Sequence, residues 1–304
     1  MEPGKPIDET KLEAERRRRL TGIGLMCCAV FLFSCLDTTA KWLGQSLDPV
    51  VTTWARYAFS VLLVSLVINP WNTPGALRTR RPGLQAIRSV LLLVSTILNF
   101  FALQYLQLAE TVSIQFAAPL LVALLSIPLL GERVGPRRLA AIGVGFLGVL
   151  IVVRPGFGAL HPAVLLVLAS VACYSLYGVT TRMLVGHDSS QTTMFYSGIA
   201  GVLLLTPVLP FFWTTPPSAL HWAGMVAVGF FGGFGHWLLI RAHARAPAGI
   251  LYPFIYTQLF SMVALGWLVF GDLPDRWTLI GSAVVMASGL YLIHRERVRG
   301  PRAG

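Results

Sequence analysis

Ser34-Cys35-Leu36-Asp37-Thr38-Thr39-Ala40-Lys41 is echoed by Ser175-Leu176-Tyr177-Gly178-Val179-Thr180-Thr181-Arg182. A serine, a threonine and a basic residue return at the same spacing, 141 positions later. Leu130-Gly131-Glu132 returns in the same way as Phe270-Gly271-Asp272, 140 positions on. The 304-residue chain is therefore two similar halves joined end to end. Both halves consist largely of apolar runs of membrane-spanning length. Duplicated apolar bundles are a common way to build a pathway that opens alternately to two sides of a bilayer.

Composition places the chain in lipid. Hydrophobic residues make up 55% and charged residues 12%, with a mean hydropathy of +0.68. Soluble domains carry roughly 25% charged residues. The net charge of +11 does not indicate nucleic acid, because the basic residues lie in short loops and tails and no base-stacking or groove-reading motif accompanies them. Cys27, Cys28, Cys35 and Cys173 all sit within apolar runs without CxxC or Cys/His spacing, so neither a metal site nor a disulfide framework is indicated.

Ten segments read as spans, at about 20–43, 51–69, 86–106, 108–130, 138–153, 162–184, 191–213, 219–240, 247–270 and 276–293. The expected fold is all-α and integral to the membrane. Continuous apolar runs rule against a barrel, whose strands alternate. The fifth segment is the shortest and needs flanking residues to cross. Gln107 alone separates the third segment from the fourth, which predicts a tight helical hairpin. Residues 1–19 read as a basic cytosolic arm rather than a secretory signal, and residues 295–304 as a basic cytosolic tail.

Loop charges give orientation. Lys5, Lys11 and Arg16–Arg19, then Arg78, Arg80, Arg81 and Arg88, then Arg133, Arg137 and Arg138 fall on one side. Arg182, Arg241, Arg245 and the arginines of the tail follow on that side, against Arg154 and Arg276 on the other. By the positive-inside rule both termini are cytosolic. Five spans per half is an odd number, so the second half is inverted relative to the first. The loop after Gly131-Glu132 is basic, whereas its counterpart after Gly271-Asp272 has lost that bias.

Several short motifs, in this order, resemble the ten-span, two-EamA-domain branch of the drug/metabolite transporter superfamily. They are Ala40-Lys41-Trp42-Leu43, Trp54-Ala55-Arg56-Tyr57, Ala118-Pro119-Leu120-Leu121 leading into Leu130-Gly131-Glu132-Arg133, and Tyr256-Thr257-Gln258 leading into Val269-Phe270-Gly271-Asp272 and Ala287-Ser288-Gly289-Leu290. The resemblance covers residues 20–294. It implies an EamA repeat over 20–153, an inverted one over 162–294, and a substrate cavity between them. It also implies secondary transport across the inner membrane. Similar proteins handle amino acids and their derivatives, S-adenosylmethionine, riboflavin or opine-type metallophores. The resemblance favours export, with import of a compound such as riboflavin or S-adenosylmethionine as the alternative.

Charged residues inside spans carry the functional expectation, because each costs about 2.5–3.5 kcal/mol near the bilayer centre. Asp37, Lys41 and Arg56 are expected to meet in the outer half of the bundle, with a net charge suited to a carboxylate. The bland reading is a static ion pair, with Lys41 snorkelling. Asp37 is the only carboxylate well inside a span, and carries the proton if transport is proton-coupled. His236 either contacts substrate or makes an interhelical hydrogen bond. Trp54, Tyr57, Tyr177 and Tyr256 are the candidate cavity aromatics. Asn99, Gln115 and Gln258 are buried amides, serving as substrate contacts or as helix glue. No cofactor or metal is implied, and the chain acts as a monomer or homodimer. The sequence shows no hydrolase or metalloenzyme motif, which speaks against an enzyme. A passive channel or a non-transporting membrane scaffold is the reading of another class, but no filter sequence or charged ring supports it.

Overall fold

The computed structural model describes residues 9–67, 78–132, 135–154, 161–184 and 186–299. The outer parts of the arm and tail, with Lys5 and Arg302, and Arg133 of the fourth loop lie outside the described residues. The first half contains α1 (Glu9–Leu43), α2 (Pro49–Val67), α3 (Pro82–Leu103), a broken span made of α4 (Leu108–Gln115) and α5 (Ala118–Leu130), and α6 (Pro136–Val153). The second contains α7 (Ala163–Leu184), α8 (Ser190–Leu205), the short α9 (Leu209–Phe212) and α10 (Ala219–His243). A second broken span follows, formed by α11 (Ala248–Leu251), a 3-10 turn (Tyr252–Thr257) and α12 (Gln258–Phe270), and then α13 (Arg276–Arg299). Among the described residues there is no strand.

Local chemistry explains the helix starts. Asp48 accepts a hydrogen bond from the Val50 amide at 2.7 Å and caps α2. Ser189 accepts from the Thr192 amide at 3.0 Å and caps α8. Pro82 and Pro136 open α3 and α6, where a missing N–H is harmless.

Nine segments among the described residues are long and apolar enough to cross a bilayer. The tenth, α8, has 16 residues. At about 1.5 Å per residue it falls short of a hydrocarbon core of about 30 Å. The expected single helix over 191–213 is thus divided, because Pro207 cannot continue α8 and the chain restarts as α9. The fifth span does recruit flanking residues, and α6 reaches 18. The third-to-fourth link is Gln104–Gln107 rather than Gln107 alone. The arm is helical from Glu9 onward and continuous with the first span, with an i,i+4 ion pair between Glu15 and Arg19 at 3.2 Å.

The repeat is written into the backbone. Gly131 and Gly271 end α5 and α12 in the left-handed region, at φ 68° and 72°. The next amide closes the same wide turn in each: Glu132 N–H donates to Ser126 O at 3.3 Å, and Asp272 N–H to Gly266 O at 3.1 Å. Ala118 and Gln258 both restart a broken span, 140 positions apart. Packing between the halves is matched as well. α1 lies on α10 as α3 lies on α7, and α1 meets α12 as α5 meets α7. α2 crosses α10 as α3 crosses α8, while α6 packs on its own counterpart α13.

Two seams depend on missing side chains. A Cβ on Gly281 of α13 would sit 2.6 Å from the Gly148 carbonyl oxygen of α6, and one on Gly233 of α10 would sit 2.8 Å from Ser60 Oγ of α2. Without aqueous exclusion to drive helices together, such close contact supplies the packing energy. Gly145 and Gly148, which literally match a nucleotide-binding GxGxxG, serve this seam against α13.

Alternation of the spans puts Arg16–Arg19, Arg78, Arg80, Arg81, Arg137, Arg138, Arg182, Arg241 and Arg245 at one end of the bundle, the basic face. Arg154 and Arg276 mark the opposite face.

Candidate functional site

A cavity of about 390 Å³ lies between α2, α3, α7, α8 and α10. Its lining runs from Leu184, Gly186 and Asp188 at the basic face to Arg56 of α2, further toward the opposite face. Leu92, Met194, Leu239 and Ile240 supply apolar wall. The volume is in the range of small-molecule sites, about 300–1,000 Å³.

Arg56 is 8% exposed. Its Nη1 donates to Thr96 Oγ1 at 2.5 Å and to Tyr57 Oη at 3.2 Å. Its Nε and Nη2 have no hydrogen-bond partner among the described residues. Gly232 of α10 makes room for it, since a Cβ there would lie 3.4 Å from Nε.

Arg88 was expected among the cytosolic loop charges, and that placement is corrected. It is 3% exposed, inside the bundle, and lines the cavity. It donates from Nε to Thr181 Oγ1 (2.7 Å), from Nη1 to Thr193 O (2.9 Å) and Ser197 Oγ (2.8 Å), and from Nη2 to Tyr177 Oη (2.8 Å). Its guanidinium also lies 4.5 Å from the Tyr177 ring centroid. The helix that starts at Pro82 carries Gln85, Arg88, Leu92, Thr96 and Asn99 at helical spacing on its buried side. That stripe was the signal available in the sequence. Thr181, Thr193 and Ser197 were missed with Arg88, because small hydroxyl residues in apolar runs are common and gain meaning only when a cation gathers them.

Asp188, in the α7–α8 loop, is the one carboxylate lining the cavity among the described residues. It accepts from Thr79 Oγ1 (2.5 Å), the Arg80 amide (2.9 Å) and Gln85 Nε2 (2.8 Å). Partial burial pushes its carboxyl up, but these three hydrogen bonds, with His187 nearby, outweigh that and hold it below the usual carboxylate value. It is bound to the start of α3 and compensates neither arginine by direct contact. The cavity is cationic.

Of the expected residues, Arg56, Tyr57, Tyr177 and His236 come together around the cavity. His236 accepts no proton from the backbone: its Nδ1 faces the Gly232 carbonyl at 2.8 Å and must donate. The expected meeting of Asp37, Lys41 and Arg56 does not occur as an ion-paired cluster. Lys41 reaches Asp272 Oδ2 at 2.8 Å and Leu106 O at 3.0 Å. Asp37 instead accepts from Asn99 Nδ2 at 3.3 Å, and Asn99 in turn accepts from Gln115 Nε2 at 2.7 Å. These three form a separate polar chain from α1 to the break in the fourth span.

Trp54, Tyr256 and Gln258 lie outside the cavity lining. Trp54 donates to Thr206 Oγ1 at 3.0 Å and packs with Tyr57 and Leu93. Tyr256 points its hydroxyl onto Gly289 of α13 and sets its ring edge-on to Phe116, 4.9 Å between centroids. Gln258 begins α12, half-buried. Sequence neighbours suggested these positions, but helix rotation decides which side chains face inward.

The fold is that of a multi-pass membrane protein built from two inverted five-span repeats around a cavity lined by two arginines. Residues 20–154 and 161–294 each match the EamA-like transporter family, and the chain belongs to it. It is 26% identical over 280 residues to a protein of Rickettsia conorii named "S-adenosylmethionine uptake transporter", covering 91% of this chain and 94% of that one. It is 26% identical to a "Riboflavin transporter" of Vibrio cholerae (93% and 96% covered) and 23% identical to the "Pseudopaline exporter CntI" of Pseudomonas aeruginosa (91% and 97% covered). A solved structure titled "Crystal structure of protein" shares the fold, with TM-score 0.63 at 18% identity over 92% of this chain and 99% of that one.

Proposed function

We propose that the chain is a secondary carrier of the inner membrane, with both termini in the cytosol, that moves a small organic anion or zwitterion by alternating access. One observation carries the substrate charge. Two buried arginines, Arg56 and Arg88, line one cavity and neither contacts a carboxylate. Arg56 interacts with the Asp37 carboxylate through space but without a hydrogen bond; a cation with no directly bonded carboxylate at membrane depth is expensive, and an anionic cargo group completes it. We read the cavity as opening at the basic face, where Leu184, Gly186 and Asp188 line it, the cytosolic face under the positive-inside rule. On the opposite face the halves are joined by Lys41–Asp272 and by the Trp42–His221 stack, 4.6 Å between centroids.

Counterflow in proteoliposomes tests the carrier. Loaded cold substrate should accelerate entry of labelled substrate; a channel or a scaffold gives no such trans-stimulation. The cargo comes from comparing metabolites inside and outside cells with and without the chain. Export, the direction the family resemblance favours, enriches the cargo outside, and uptake depletes it there. Arg56→Ala should slow transport about 10–100-fold while the protein still reaches the membrane, the loss expected for about 1.5–3 kcal/mol of charge-assisted hydrogen bonding. Unchanged transport in that variant removes the anion anchor.

A further inference from the structure

We infer that a basic cavity between the N-terminal arm of α1 and the turn after α10 binds the head group of an anionic phospholipid, whose acyl chain lies on the outward face of α10. The inference goes beyond the carrier reading and does not depend on the cargo.

This second cavity, of about 270 Å³, is lined by Arg18 and Arg19 of the arm and by His243 and Arg245 at the end of α10. The two halves of the chain meet there. Arg18 Nη2 donates to the Ala244 carbonyl at 2.8 Å and ties the arm to the turn. Gly22, one turn further along α1, lets the two backbones close. A Cβ there would lie 3.0 Å from Ala246 Cβ and 3.3 Å from Arg245 Cβ. Arg245 is fixed in turn, donating from Nη1 to Arg241 O at 3.0 Å.

The charge in this cavity is unbalanced. Glu15 is the one carboxylate in the lining among the described residues, and it is already paired with Arg19 at 3.2 Å. Three arginines against one glutamate leave a net charge of +2 with His243 neutral. Arg18 and Arg245 hydrogen-bond only to backbone carbonyls among the described residues. Their other N–H groups are open to the oxygens of a phosphate diester, which guanidinium groups bind with charge-assisted hydrogen bonds.

Position selects a lipid over a dissolved anion. Arg18 and Arg19 directly precede the apolar run that begins at Leu20, and Arg245 follows the apolar run of α10. The cavity therefore stands at the level of the lipid head groups. From Arg241, which holds Arg245, an aromatic stripe runs inward along α10. The Arg241 guanidinium lies 5.0 Å from the Trp237 ring centroid, Trp237 stacks on Phe234 at 5.4 Å, and Phe234 on Phe230 at 5.3 Å. Phe234 and Phe230 are 39% and 41% exposed. From Arg241 to Phe230 the stripe covers about 16 Å at about 1.5 Å per residue. That is the depth of one leaflet of a hydrocarbon core about 30 Å thick. An anionic phospholipid satisfies both parts, its phosphate in the cavity and a chain on the stripe. A dissolved phosphate leaves the stripe unused, and a zwitterionic lipid sets an ammonium among the arginines.

The test is native mass spectrometry of the full chain, offered equal amounts of dioleoyl phosphatidylglycerol and dioleoyl phosphatidylethanolamine. The chain should retain phosphatidylglycerol at least about tenfold over phosphatidylethanolamine, since each basic residue near an anionic head group is worth about fivefold. Arg18→Gln combined with Arg245→Gln should remove that preference. Arg18 is exposed, and glutamine keeps a donor for the Ala244 carbonyl, so the fold stands. Arg80→Gln combined with Arg81→Gln, two exposed cations elsewhere on the same face, should leave the preference intact. Phe230→Ala combined with Phe234→Ala should weaken retention of the dioleoyl lipid. Excess glycerol 3-phosphate should fail to displace it. The inference is overturned if the two lipids are retained equally, or if the Arg80 and Arg81 variant loses as much as the Arg18 and Arg245 variant, which makes the attraction diffuse. It is also overturned if the phenylalanine variant retains the lipid unchanged, or if glycerol 3-phosphate displaces it, which makes the cavity a site for a dissolved anion.

Discussion

Arg88 and Arg56 show how much rotation about a helix axis matters. Both are single cations in apolar helices: Arg88 shares the buried side of α3 with Thr96 and Asn99, and Arg56 of α2 donates to Thr96 across the helix contact. Its position mid-run makes Arg56 legible in the sequence, whereas a position near a helix start makes Arg88 read as a loop charge. The structure buries both. Asp37 makes the converse point. Its depth was legible, but its partner was not, because Asn99 is 62 positions away and nothing local announces the bond. Since Asp37 contacts Asn99 rather than Lys41 or Arg56, it is free of a direct ion pair and stays the candidate proton carrier. Asp37→Asn should therefore keep substrate exchange within about twofold, because exchange moves no net proton, and should abolish accumulation driven by a pH gradient. Measurement of both fluxes in the same proteoliposomes checks this. Retained gradient-driven accumulation rules Asp37 out.

At the scale of elements the sequence was most informative where backbone geometry forces a residue type. Gly131 and Gly271 had to be small because they turn left-handed, and they marked the repeat from the start. Of the ten apolar runs in the sequence, nine form helices of adequate length among the described residues. Broken helices were harder to see: Phe116–Ala117 interrupts the fourth span without a glycine, and Pro128 sits inside α5 without breaking it. Seams were also hidden, because a glycine facing a neighbour looks the same as one facing lipid. The α6–α13 seam is the most demanding. Gly281→Ala sets a methyl 2.6 Å from the Gly148 carbonyl oxygen and 2.5 Å from Val152 Cγ2, so backbone must move. The expected loss is about 1–3 kcal/mol, the usual range for overpacking. A lower unfolding temperature in detergent, with no comparable loss for alanine at Gly143, whose Cβ position meets nothing within 4 Å, is the outcome that supports this packing. Equal behaviour of the two variants contradicts it.

The whole molecule contains the same ion pair twice. Lys41–Asp272 joins α1 to the end of α12 near the opposite face, at 2.8 Å. Arg182–Glu132 joins α7 to the end of α5 at the basic face, at 3.3 Å. Each partner maps onto the other pair through the repeat, so these are one contact made in two settings. The settings differ. Side chains of the first pair are 12% and 29% exposed, and those of the second are 50% and 39% exposed, at the face where the cavity opens. In an inverted-repeat carrier the other state is reached when the two repeats exchange conformations. Exchange predicts that Lys41–Asp272 becomes the loose, hydrated pair when the cavity opens to the opposite face. Its present tightness then stabilises the basic-face-open state, and removing it should shift the population by about tenfold for every ~1.4 kcal/mol of differential stabilisation. Lys41→Met and Asp272→Asn should each raise the reactivity of a Thr52→Cys reporter, at a buried position of α2 near the opposite face, towards a membrane-impermeant thiol reagent. The background should lack Cys27, Cys28, Cys35 and Cys173. Because the two residues act as one contact, the double variant should raise reactivity little beyond either single variant. Glu132→Gln should leave the reporter unchanged or lower its reactivity, since it loosens only the face that is already open. If the reporter is indifferent to Lys41 and Asp272, or if their effects simply add, the pair is a passive fastening and the closure of the opposite face lies in the apolar contacts around it.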